Sequence, residues 1–103
     1  MAGPGKSGNC LHLVVRSSRE SLLRCRAHCA AGDTVLFFDA GVMHLTGDVQ
    51  DCFANHIPVV LYSAPDLKAR GLGSIALDQA VQTLDDFEFG DLLARHEFCL
   101  TWK

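Results

Sequence analysis

Short apolar runs and helix-like stretches alternate about five times along this 103-residue chain, which predicts an α/β fold. Thr34–Phe38 (TVLFF) and Ile57–Tyr62 (IPVVLY) are continuously apolar rather than alternating, the pattern of strands covered on both faces in a parallel sheet. The stretches between the runs start at serine or aspartate and stop at glycine, as helices do. Together these features predict one small flavodoxin-like domain. Its sheet is mostly parallel, with about five strands and helices on both faces.

Composition agrees. At 11.2 kDa there is room for one core. A chain that is 49% hydrophobic and 20% charged is too apolar to be disordered. No run approaches the roughly 20 apolar residues of a membrane-spanning helix, so no membrane association is expected. Five cysteines, an odd number behind no secretory signal, suit reduced thiols and a cytoplasmic protein.

In order, Met1–Asn9 (MAGPGKSGN) is expected to be a flexible tail of the kind an expression vector contributes, leaving 10–103 as the folded unit. Its Gly5-Lys6-Ser7 lacks the earlier glycine and the preceding strand that a phosphate-binding loop needs. Cys10–Val15 is the first strand. Ser17 or Ser18 caps a helix over Ser18–Ala31 that Gly32 stops. After the strand Thr34–Phe38, Gly41 permits a sharp exit and Val42–Leu45 starts a short helix. Asp48 caps another, with Val49, Cys52 and Phe53 on one face. The strand Ile57–Tyr62 leads through Ser63-Ala64-Pro65 into a helix over Asp66–Arg70, closed by Gly71. Ala80–Leu84 is a strand. Asp85 or Asp86 caps a helix running to about His96 with Phe89, Leu92 and Leu93 inward, and Phe98–Trp102 is the last strand.

The net charge of −3 conceals an asymmetry. Residues 1–30 hold five basic side chains and one acid, whereas the rest hold four basic and eleven acidic groups. That arrangement reads as a solvated basic helix face. A pI near 5.9 argues against direct RNA binding by this chain alone.

Chemistry concentrates on the first helix. Cys25 and Cys29, four apart, share a stripe with Leu22, and Arg19 and Arg26 flank it. A guanidinium beside a thiol favours the thiolate, which nucleophilic and persulfide chemistry requires, so Cys25 is the candidate reactive thiol. Cys29, Cys10, Cys52 and Cys99 are expected to pack as small hydrophobes. Zinc could draw on Cys25, His28 and Cys29, or on His96 and Cys99. Helical i, i+4 spacing is not that of structural zinc, however, and His28 projects roughly 60–100° off the stripe, so no metal is expected. His12 is expected within the sheet and His44 near a strand end, with the other histidines solvated. No GxSxG or HExxH motif is present, so neither a cofactor nor a self-contained active site is expected.

Leu11–Ser17 (LHLVVRS) resembles the opening of the TusB/DsrH family of sulfur-relay proteins. Gly32–Phe38 (GDTVLFF) is similar to that family's second strand, and Asp39–Val42 (DAGV) to its DGV segment, with Ala40 setting Asp39 one place out of register. Tyr62–Gly71 (YSAPDLKARG) resembles its DLxARG stretch, the most specific part of the match. Asp85, Phe89, His96 and Trp102 resemble its terminus. The resemblance spans Cys10–Lys103 and implies a DsrEFH-like α/β subunit. It implies TusC-like and TusD-like (or DsrF- and DsrE-like) partners in a dimer of heterotrimers, and a TusA-like donor reached indirectly. The sulfur would end in the 2-thio group of the tRNA wobble uridine, with tRNA contacted only indirectly, or, in the Dsr branch, would pass through dissimilatory sulfur oxidation. The principal sulfur-carrying cysteine belongs to the TusD/DsrE-like subunit. DsrH-like members carry a cysteine seven positions before the Gly of GD, where Cys25 stands, so Cys25 is expected to be an auxiliary thiol in a subunit that is not an enzyme by itself. A stand-alone thiol redox or metal-binding protein is the alternative of another class.

Overall fold

The computed structural model describes residues 10–47, 52–53 and 58–103. The elements are β1 (Cys10–Val14), α1 (Arg19–His28), β2 (Thr34–Phe37), a 3-10 helix (Asp39–Thr46), β3 (Val59–Ser63), α2 (Ala64–Ala69), α3 (Gly73–Asp78), β4 (Thr83–Leu84), α4 (Asp86–Ala94) and β5 (Phe98–Trp102). The tail 1–9 and the expected Asp48 cap with Val49 lie outside the described residues.

All five strands are parallel, in the order β4-β3-β2-β1-β5. β2 is buried along its whole length, as its unbroken apolar run requires. Alternate side chains feed two cores. Val14, Val35, Phe37 and Tyr62 pack with Leu22 and Cys25 of α1, Val42 and Leu45 of the 3-10 helix, and Leu67 and Ala76 of α2 and α3. On the other face, Leu11, Leu13, Leu36 and Leu84 pack against Leu92 of α4.

Local chemistry sets the element ends. Ser18 caps α1 by accepting the Ser21 N–H through its hydroxyl. Asp85 and Glu88 form a reciprocal capping box on α4. Gly41 sits so close to β1 that an added Cβ would stand 1.9 Å from the Val14 carbonyl oxygen, so only glycine fits there.

Four expectations are corrected. Helix α1 ends at His28 rather than Ala31, because Cys29 turns to an extended ψ of 142° as its C-cap. Helix α2 begins two residues early, at Ala64, because Ser63 caps it and Pro65 suits its first turn. Leu93 is 39% exposed, on the outer side of α4. Cys99 is exposed because β5 is the sheet edge and α4 covers the central strands instead.

Candidate functional site

The most unusual chemistry lies under the C-terminal end of α1, against β1 and the start of β2. Gly32, with φ of 91°, turns the chain and delivers Asp33, which is 2% exposed. A buried carboxylate is tolerable only when it is hydrogen-bonded, and this one is. Oδ1 accepts the Cys10 N–H at 3.1 Å, while Oδ2 accepts the Ala30 N–H at 3.0 Å and His12 Nε2–H at 2.8 Å.

The His12 tautomer follows from its second partner. Trp102 Nε1, a donor only, lies 3.0 Å from His12 Nδ1, so Nδ1 holds the lone pair and Nε2 carries the proton directed at Asp33. The two rings stack with centroids 6.1 Å apart, and His28 packs against Trp102 at 5.0 Å. Burial opposes charge on His12, but Cys29 and Asp33 outweigh it and raise its pKa above the ordinary histidine value.

Beside this couple stand the two thiols of α1. Cys25 is fully buried, and its Sγ lies 3.9 Å from that of half-buried Cys29. Both sulfurs and a His12 ring nitrogen fall within 4.8 Å of one another. The hydrogen bond between the thiols, with burial added, raises Cys25, which therefore keeps its proton. The same hydrogen bond, with help from His12, lowers Cys29 against the effect of its own burial. The partial negative charge at the end of α1 opposes a Cys29 thiolate, as its burial does. The arrangement sets a fully buried thiol with a raised pKa beside a half-buried thiol with a lowered one.

The structure places Cys25, the sequence candidate, on the stripe foreseen for it, but its neighbours differ from those expected. Arg26 Nε donates to the Cys52 carbonyl instead of facing the thiol. Cys29, expected to pack as a small hydrophobe, does pack against the core, but it is only half-buried where Cys25 is fully buried. His28 donates to the Arg24 carbonyl. His96 donates to Leu92 and accepts from Thr34, so neither metal set weighed from sequence is brought together. A cation bound by His12, Cys25 and Cys29 would have to displace one of the two hydrogen bonds of the His12 ring and would have three protein ligands where structural zinc takes four.

Sequence reasoning missed Asp33 and Trp102 and gave His12 no role. One signal was present: a histidine between Leu11 and Leu13 on a buried strand must find polar partners.

The carboxyl edge of the sheet, where such folds usually hold ligands, is organised differently. Asp39 adopts φ of 53°, its N–H donates to Asp66 at 2.7 Å, and Arg70 donates to its carboxylate at 3.0 Å. Residues of the DLxARG stretch therefore tie the exit of β2 to α2. The groove beside them, about 240 Å³, is lined by Leu36, Phe38, Asp66, Asp85 and Phe89 among others and offers no nucleophilic thiol. His44, buried nearby, donates to the Arg16 carbonyl, and burial lowers its pKa. No helix among the described residues is long and apolar enough to cross a membrane.

No curated protein matches the chain. A family model described as "DsrH like protein" matches residues 16–98, most of the sequence, including both thiols, Asp33 and the Asp39–Arg70 clamp. This match over most of the sequence, on a five-stranded parallel domain, shows that the chain belongs to the DsrH-like family of sulfur-relay proteins.

Proposed function

We propose that the protein is the TusB/DsrH-type subunit of a cytoplasmic TusBCD-like complex that passes persulfide sulfur toward 2-thiolation of the tRNA wobble uridine. The observation that carries this reading is the thiol pair of α1 set beside His12 in a DsrH-like chain. Persulfide transfer needs little more than a thiolate that can reach the outer sulfur of the donor. Cys29 offers that thiolate, and the auxiliary role expected of Cys25 becomes the role of a buried hydrogen-bond donor. Partners resembling TusC and TusD would supply the principal sulfur carrier, with a TusA-like donor upstream. Phe98 and Leu100 on edge strand β5 and Phe87 on α4 are exposed apolar groups that such an assembly would bury. A second reading, service in dissimilatory sulfur oxidation, is favoured by Cys25 itself, since the cysteine seven positions before Gly32 is a DsrH-like trait.

Deletion of the gene followed by quantification of 2-thiouridine in hydrolysed tRNA tests the proposal. Loss of the 2-thio nucleoside, restored by the wild-type gene, is the expected result. Unchanged 2-thiouridine overturns the tRNA reading, and a simultaneous loss of growth on reduced sulfur would establish the second.

A further inference from the structure

The two thiols differ in a way that a simple sulfur carrier does not require. One is half-buried and one is fully buried, and their sulfurs lie 3.9 Å apart. Four residues at about 1.5 Å rise place their Cα atoms about 6 Å apart, inside the span a disulfide bridges. The sulfurs need to close from 3.9 Å to about 2.0 Å. Cys29 is the C-cap, with extended ψ, so its side chain is not held by a following helical turn.

We propose that Cys25 and Cys29 form a resolving dithiol, in which Cys29 accepts a sulfane sulfur from a persulfide donor and Cys25 discharges it as hydrosulfide by closing a Cys25–Cys29 disulfide. The inference rests on the sulfur-relay reading for its donor. In the first step the Cys29 thiolate attacks the outer sulfur of the donor persulfide. The Cys29 S–S bond forms, the donor S–S bond breaks, and the donor leaves as a thiolate. In the second step Cys25 attacks Cys29 Sγ, the inner sulfur. The Cys29 persulfide first releases its proton to solvent; its outer sulfur then takes the Cys25 proton as the Cys25 thiolate attacks, the Cys25–Cys29 bond forms, the bond to the outer sulfur breaks, and that sulfur leaves as HS⁻. The sulfane sulfur gains two electrons, and the two cysteine sulfurs lose one each. A dithiol reductant restores the pair. The order of events follows from placement: a protein donor cannot reach fully buried Cys25, whereas Cys25 is already in contact with the sulfur it must attack.

The test uses the purified, reduced chain incubated anaerobically with glutathione persulfide, with sulfide and intact mass read together. Wild type is expected to release about one sulfide per chain and to lose 2 Da, with peptide mapping that joins Cys25 to Cys29. Cys25→Ser and Cys25→Ala are expected to stop at a stable gain of 32 Da on Cys29 with at least tenfold less sulfide. Cys29→Ser is expected to show neither change at Cys25. Wild type resting at the 32 Da adduct with Cys25 free, or equal sulfide release from wild type and the Cys25 variants, would overturn the proposal. The peptide map of wild type needs no variant to fold. If deletion of the gene leaves both tRNA thiolation and sulfur oxidation unaffected, the relay reading fails, whereas the sulfide measurement judges the dithiol chemistry alone.

Discussion

The two ends of the sheet each use an aspartate to organise a loop, under opposite conditions. Asp33 lies in the protein interior with three donors on one carboxylate. Asp39 lies in solvent, its side chain 68% exposed and paired with a half-exposed Arg70. An exposed ion pair is screened by water, so it guides the chain at little energetic stake. A buried carboxylate leaves donors stranded when removed, so it fixes orientation rigidly. The chemistry accompanies the rigid end: the thiols and His12 lie beside Asp33, whereas the clamp at the carboxyl edge holds only backbone together.

Substitution separates the two most sharply. Asp33→Ala is expected to cost about 2–3 kcal/mol in urea unfolding, because the buried His12 imidazole N–H loses its acceptor, as do the backbone N–H groups of half-buried Cys10 and exposed Ala30. Asp39→Asn, which keeps the left-handed backbone tolerable, is expected to cost less than about 1 kcal/mol. Equal costs would break the comparison.

Trp102→Phe probes the rigid end more gently. Loss of the indole N–H is expected to cost about 1–2 kcal/mol and to free Nδ1 of His12. Nitrogen NMR of the His12 ring should then change from a single Nε2–H tautomer to a mixture. An unchanged spectrum would show that Asp33 alone sets the tautomer.

The two buried histidines should respond to pH in opposite senses. His44 has a lowered pKa in the folded state, so the unfolded chain binds the proton more readily. Its contribution is present above about pH 6.5 and is lost as pH falls through the folded value. His12 has a raised pKa, so its contribution is full below about pH 6.5 and is lost as pH rises through the folded value. His44→Gln should therefore flatten the acid limb of a stability–pH curve and leave the neutral limb in place. Flattening of the neutral limb instead would reverse the assignment. The smallest effect is expected at Ala80, which holds φ of 53° before β4. Ala80→Gly should relieve that strain and raise stability by less than about 1 kcal/mol in thermal or urea unfolding.

Much of the fold was legible because its signals are local. The unbroken run of β2 announced a doubly covered strand, and Ser18 and Asp85 announced the starts of α1 and α4. Helix α3 was not foreseen because it begins immediately after Gly71 and Leu72, with no side-chain cap to mark it. Cys99 was misplaced because periodicity identifies a strand without saying which strand lies at the edge. In the site, the i, i+4 spacing of Cys25 and Cys29 was visible, but which thiol faces solvent depends on where α1 ends. The partners of His12 are 21 residues away at Asp33 and 90 away at Trp102, separations across which no sequence period carries information.

The central claim is that α1 holds one hidden protonated thiol and one reachable thiolate, and alkylation of the native chain as a function of pH tests it most directly. With iodoacetamide and mass mapping, Cys29 is expected to label fastest at neutral pH, with an inflection below the ordinary thiol range, while Cys25 stays unlabelled until the chain unfolds. Cys99 is the stringent control, since it is more exposed than Cys29 and its thiol is held protonated by an elevated pKa. Cys29 labelling no faster than Cys99, or Cys25 labelling in the native chain, would contradict the account.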